Sequence, residues 1–205
     1  MKKEELTSFA IDILSEFSPY IGAVRDTFEK TCSISDRIIM TKLIRLFTGQ
    51  IDDMESKIKL TSDFQKGSKK YKENMKRLLY VINTISLDEK IDIISNLMRS
   101  LSMNLIDLKM FWRLVDIVEK MYYDDIKEFA EFVSDNNLNN FSNITILQIN
   151  NLVECTNAST MQISRGGEKS FIIPTTIGGK EFKKTRIGLE LIRCGYDLDN
   201  YSLYK

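Results

Sequence analysis

Histidine is absent from the 205 residues, and no other gap in the composition removes as much chemistry. Without an imidazole the chain lacks the side chain that titrates unperturbed near neutral pH. The usual general base, the Ser-His and Cys-His nucleophile pairs and the commonest metal ligand are therefore missing. Cysteine is scarce and odd in number, at Cys32, Cys155 and Cys194, which argues against a disulfide framework and for reduced thiols in a cytosol. Neither sign of charge is in excess, 29 basic residues facing 29 acidic ones, so any preference for nucleic acid or an acidic membrane has to be local. Long hydrophobic runs are missing as well. The longest uncharged apolar stretch, Phe17 to Val24, falls far short of the ~20 residues that span a bilayer. The opening Met-Lys-Lys-Glu-Glu lacks the apolar core of a signal peptide. These absences predict a cytoplasmic protein with no membrane partner, no metal or other cofactor and no enzymatic activity.

What the sequence does have is helical periodicity. Leu6, Phe9, Ala10, Ile13, Leu14 and Phe17 recur at helical spacing up to Pro19, and Ile21, Val24 and Phe28 suggest a shorter continuation. Ser33 to Asp36 offers a cap for a long helix over about residues 36–60 through Ile39, Leu43, Phe47, Ile51, Met54 and Ile58, with Gly49 a place for a kink or break. Residues 61–70 are polar and unpatterned, and read as a loop. A further helix is predicted over Tyr71–Ile85. Ser86-Leu-Asp-Glu89 then has the form of a capping box that starts another at Leu87. Asp107 to Tyr122 gives the next, and this pair of helices is the expected central core, with Trp112 as a contact between helices rather than a ligand platform. Asp124 and Asp125 precede Ile126, Phe129 and Ala130. They lack the alternating oxygen ligands of a calcium loop, so they read as helix-end residues.

Ser134 to Asn143 is rich in asparagine, whose side chain competes for backbone groups, and the junction between two domains, 1–135 and 136–205, is placed there. Ile144 to Glu154 reads as a short helix. Strands follow at Thr160–Ser164 and Phe171–Ile173, with a third at Lys180–Lys184, and turns at Arg165-Gly-Gly and Ile177-Gly-Gly. A last amphipathic stretch from Arg186 to Arg193 is stopped by Gly195. The fold class expected is mainly α: a helical bundle followed by a small α+β winged-helix-like C-terminal module.

Ser35-Asp-Arg-Ile-Ile-Met-Thr-Lys-Leu-Ile-Arg-Leu-Phe47, Asp88-Glu-Lys-Ile-Asp-Ile-Ile-Ser-Asn-Leu-Met98, Phe111-Trp-Arg-Leu114, Tyr122-Tyr-Asp-Asp-Ile126 and Phe182-Lys-Lys-Thr-Arg-Ile-Gly-Leu-Glu-Leu191 together carry a resemblance. The chain resembles uncharacterised helical proteins of bacteria, phages and mobile elements that close with a winged-helix-like module. The resemblance implies a setting of phage and host conflict and no particular activity.

Between Ser164 and Ile187 the cations Arg165, Lys169, Lys180, Lys183, Lys184 and Arg186 face only Glu168 and Glu181, a surplus of four charges. A wing of this kind suits a phosphate backbone. The helix before it carries Gln148, Asn150 and Asn151, able to read adenine edges, but no lysine or arginine. Gln148 and Asn151 with the six cations are the candidate binding surface. Its expected partner is another protein or a second copy of the chain, and the alternative is DNA. The run Ile177-Gly-Gly-Lys180 is not a phosphate-binding loop, since Pro174 stands where the leading glycine belongs and Glu181 where Ser or Thr does.

Overall fold

The computed structural model describes residues 34–48, 69–131, 141–156, 160–163, 171–174 and 181–196. Helices α1 (Ile34–Thr48), α2 (Lys69–Thr84), α3 (Asp88–Ser102), α4 (Leu108–Lys120), α5 (Tyr123–Glu131) and α6 (Ile144–Ile149) precede four short strands. These are β1 (Val153–Cys155), β2 (Thr160–Ile163), β3 (Phe171–Pro174) and β4 (Phe182–Lys184). Helix α7 (Arg186–Glu190) then runs on into a π-helical turn, Leu191–Tyr196. The chain divides into two compact units, one within Met1–Tyr123 and Arg193–Lys205, the other within Asp124–Ile192. The junction expected at residue 135 and the helices expected before residue 33 lie outside the described residues, as do residues 49–60 of the long helix.

In the first unit α3 packs against both α1 and α4, and α1 against α2. Their apolar residues recur every three or four positions, so each helix turns one stripe inward. Leu43, Leu78, Ile82, Ile91, Ile94, Leu97, Phe111 and Leu114 are fully buried there. The expected central pair of helices is thus α3 with α4. Polar groups that enter this core close helix ends. Lys42 is buried and its ammonium donates to the carbonyls of Ile82 and Ile85 at the end of α2. Lys90 donates to the Glu119 carbonyl at the end of α4 (3.1 Å), an orientation the helix dipole favours. Burial pushes the Lys90 ammonium below its ordinary value, and Glu119 opposes part of that shift. Trp112 bridges α2 and α4 at 7% exposure. Its indole N–H donates to Asn74 Oδ1 (3.2 Å), while the Arg77 guanidinium lies 4.4 Å from its ring centroid and pairs with Asp116 at 2.8 Å.

Four local expectations are corrected. The capping box does not form: Leu87, not Ser86, is the residue before the first turn of α3, and no side chain caps it. Shifting the start by one residue takes the serine out of reach, and Asp88 and Glu89 instead place negative charge at the helix N-terminus. Lys69 and Lys70, read as loop, are the first turn of α2, as the good helix propensity of lysine permits. The helix predicted to reach Glu154 stops at Ile149, and Val153–Cys155 is a strand. Gly195 lies inside the π turn rather than beyond a helix end.

Among the described residues, both non-glycine residues with positive φ, Asn104 and Asn151, at 56° each, close helices in the same way. At the end of α3 the N–H of Asn104 donates to Leu101 O (3.0 Å) and that of Leu105 to Ser100 O (2.9 Å). At the end of α6 the N–H of Asn151 donates to Gln148 O (2.9 Å) and that of Leu152 to Leu147 O (2.8 Å). This is the Schellman pairing, with asparagine in the left-handed position that glycine usually takes.

In the second unit the strands nest. β1 pairs antiparallel with β4, Glu154 opposite Lys183, and β2 with β3, Gln162 opposite Ile172. Each pair is a separate two-stranded ribbon. The strand expected at the end of the chain therefore pairs with β1, which was not foreseen, and not with its neighbour in sequence.

Candidate functional site

The predicted binding residues separate into those the structure describes and those it does not. Arg165, Lys169 and Lys180 lie outside the described residues. Gln148, Asn151, Lys183, Lys184 and Arg186 are described, and they gather where the end of α6 meets the start of α7.

Three residues hold this junction. The Schellman turn at Asn151 directs the chain from α6 into β1 and presents two carbonyls to the returning strand. Thr185 takes both: its hydroxyl donates to Asn151 O and its N–H to Leu152 O (2.9 Å). The same hydroxyl oxygen accepts from the Gly188 N–H (3.2 Å), so Thr185 caps α7. Gly188 then passes so close to β1 that an added Cβ would lie 2.2 Å from Leu152 O and 3.0 Å from the Phe129 ring. The run Thr185-Arg-Ile-Gly188 is explained by this crossing, with a cap at its first position and a backbone contact at its fourth.

The outward groups around the junction are mixed in character. Gln148 and Asn151 are exposed, as is Arg186 in the first turn of α7. Ile149 is 74% exposed, and Leu189 is also on the surface. Lys183 is exposed but bonded across the ribbon to Glu154 at 3.0 Å. Glu154 therefore joins the local set of charges and matches one of its cations. Sequence reading missed this pair because the two residues are far apart along the chain and meet only through the β1–β4 register. Ile149 carries no signal in the sequence that marks it as a surface residue.

The helix that would read bases is six residues long, and its C-terminal turn carries Gln148 and Ile149 but no cation. Among the described residues no group of three or more cysteine and carboxylate side chains is placed to hold a metal ion. No helix among them is long and apolar enough to cross a membrane. Comparison with family models, with curated proteins and with solved structures gives no match.

Proposed function

We propose that the protein is a non-enzymatic binding protein of the cytoplasm, belonging to a phage or mobile-element setting, that contacts another protein through the α6–α7 junction. The C-terminal module is read as a winged-helix variant in which α6 occupies the place of the recognition helix and the β2–β3 hairpin that of the wing. The observation that carries the protein-contact reading is Ile149. A large apolar side chain, 74% exposed, stands on a helix that carries no Arg or Lys, and interface centres favour apolar side chains over charged ones. The Lys183–Glu154 pair supports the same reading, because a cation already matched across the ribbon has less to offer a phosphate.

One observation favours the alternative of DNA binding. Arg186 is exposed in the first turn of α7, beside the Thr185–Asn151 contact, and has no ion pair among the described residues. Capture of partners from a cognate lysate, with and without nuclease, separates the two. Partners retained after nuclease, lost on Ile149→Asp and kept on Arg186→Ala, support protein contact. Partners lost with nuclease, with a steep salt dependence and sensitivity to Arg186→Ala, would replace it with DNA binding.

A further inference from the structure

Charge is not spread evenly over the helices of this neutral chain. On α2 the exposed side chains include Lys70, Lys72, Lys76 and Arg77 against Glu73 alone, and the first turn carries no acidic residue. Helix α4, counted with its cap Asp107, carries acidic and basic residues in equal number. The balance is made up elsewhere, as on α5, where Asp124, Asp125, Glu128 and Glu131 stand against Lys127. The surplus of positive charge in the first unit is therefore concentrated on one helix face.

The helical period decides what that face presents. Tyr71, Met75, Leu78 and Ile82 are buried and turn the opposite side of α2 outward. Near the middle of that side stands Tyr80, 66% exposed. Arg77 and Lys76 precede it by three and four positions, and Lys72 lies one turn further back. Arg77 is already engaged, paired with Asp116 and held over the Trp112 ring. Lys72 and Lys76 form no ion pair among the described residues, unlike Lys183, which Glu154 matches across its ribbon.

We propose that this face of α2 binds single-stranded nucleic acid. Lys72 and Lys76, about 6 Å apart along the helix axis, pair with phosphates of one strand, and Tyr80 beside them is a platform on which a base stacks. A duplex is disfavoured because its base faces are already covered by stacking, which leaves Tyr80 without a role. An acidic peptide would engage the lysines and make no use of the flat ring. Phosphate pairing and stacking together read no sequence, so the contact tolerates any strand. It uses no residue of the α6–α7 junction.

Fluorescence anisotropy of the full-length protein tests this, with labelled oligothymidylate and oligouridylate of about 20 nucleotides as separate arms that tell a DNA strand from an RNA strand. With about three phosphates engaged, affinity should fall roughly twentyfold over a fourfold rise in salt. Lys72→Gln combined with Lys76→Gln should remove most of that salt dependence and weaken binding roughly tenfold. Tyr80→Ala should weaken it roughly tenfold, while Tyr80→Phe, which keeps the ring, should bind as the unaltered protein does. These positions are exposed, so the variants keep the fold, as circular dichroism checks. The proposal is overturned if neither strand binds, if a duplex of the same length binds as tightly, or if polyglutamate competes as well as the strand. It is overturned too if binding survives the α2 substitutions and is lost on Arg186→Ala, which would move the nucleic acid to the α6–α7 junction.

Discussion

Helices α1 to α4 and the segment from Asp124 to Ile192 use different means to fix a backbone. In the first, Leu97, Phe111, Leu114 and their neighbours bury large side chains with no polar demand, and any well-packed apolar set of the same volume would serve. In the second, a few positions fix the chain by backbone geometry: Asn151 at positive φ, Thr185 bonded to two carbonyls, and Gly188 against the Leu152 carbonyl. The first arrangement tolerates exchange among apolar residues and resists truncation. The second has little freedom at these three positions, whatever packs beside them.

The largest expected effect tests the first arrangement. Phe111→Ala should cost about 3–5 kcal/mol in denaturant unfolding, because a fully buried aromatic ring is lost; a loss under half that size would mean the helices re-form around the cavity. Gly188→Ala tests the second. The new methyl meets a backbone oxygen that has no rotamer to escape into, so a cost of roughly 2–3 kcal/mol is expected. Amide exchange should place the damage within residues 124–192 and leave α3 and α4 protected, whereas equal loss of protection in both would show that the two units are not separable. Thr185→Ala removes the α7 cap and one ribbon bond and should cost about 1–2 kcal/mol, and Thr185→Ser should recover most of it in the same unfolding assay.

The smallest effect concerns pH. Burial holds the Lys90 ammonium below its ordinary 10.5. Between that lowered value and 10.5 the unfolded chain binds a proton that the folded chain does not, so this group makes stability rise with pH across the window, and below it the penalty is complete. Lys90→Met should flatten the rise, as followed by the denaturant midpoint from neutral pH upward. An identical rise in both proteins would assign it to other groups.

The helical layer was largely legible in the sequence because its information is periodic and local: Leu78, Ile82, Ile91, Ile94 and Phe111 announce their buried faces by spacing alone. Even there the start of α3 was misread, since Ser86-Leu-Asp-Glu89 has the right letters one residue too early. The junction was legible only in part. Leu152 and Val153 continue an apolar pattern that reads as helix, and what makes Val153–Cys155 a strand is a partner about thirty residues on, which no local window contains. Gly195 read as a stop because glycine so often ends a helix, while its use here is to bring the π turn against Ile93 and Leu97. Charge on the wing and adenine-reading amides on the helix before it point to the binding residues. The structure gathers Gln148, Asn151, Lys183, Lys184 and Arg186 around one junction, yet it matches Lys183 with Glu154 and adds Ile149, which carries no charge.

Trp112 gives the molecule an optical consequence. It is the single tryptophan of the chain, and it sits between α2 and α4 with its indole N–H bonded to Asn74 and its ring beneath Arg77. Light absorbed selectively by indole therefore reports from the helical layer alone, and the ribbon with its α6–α7 junction is dark at that wavelength. A melt followed by tryptophan emission and one followed by far-ultraviolet dichroism should coincide only if both units unfold together. Their separation on the temperature axis would measure how independent the two are.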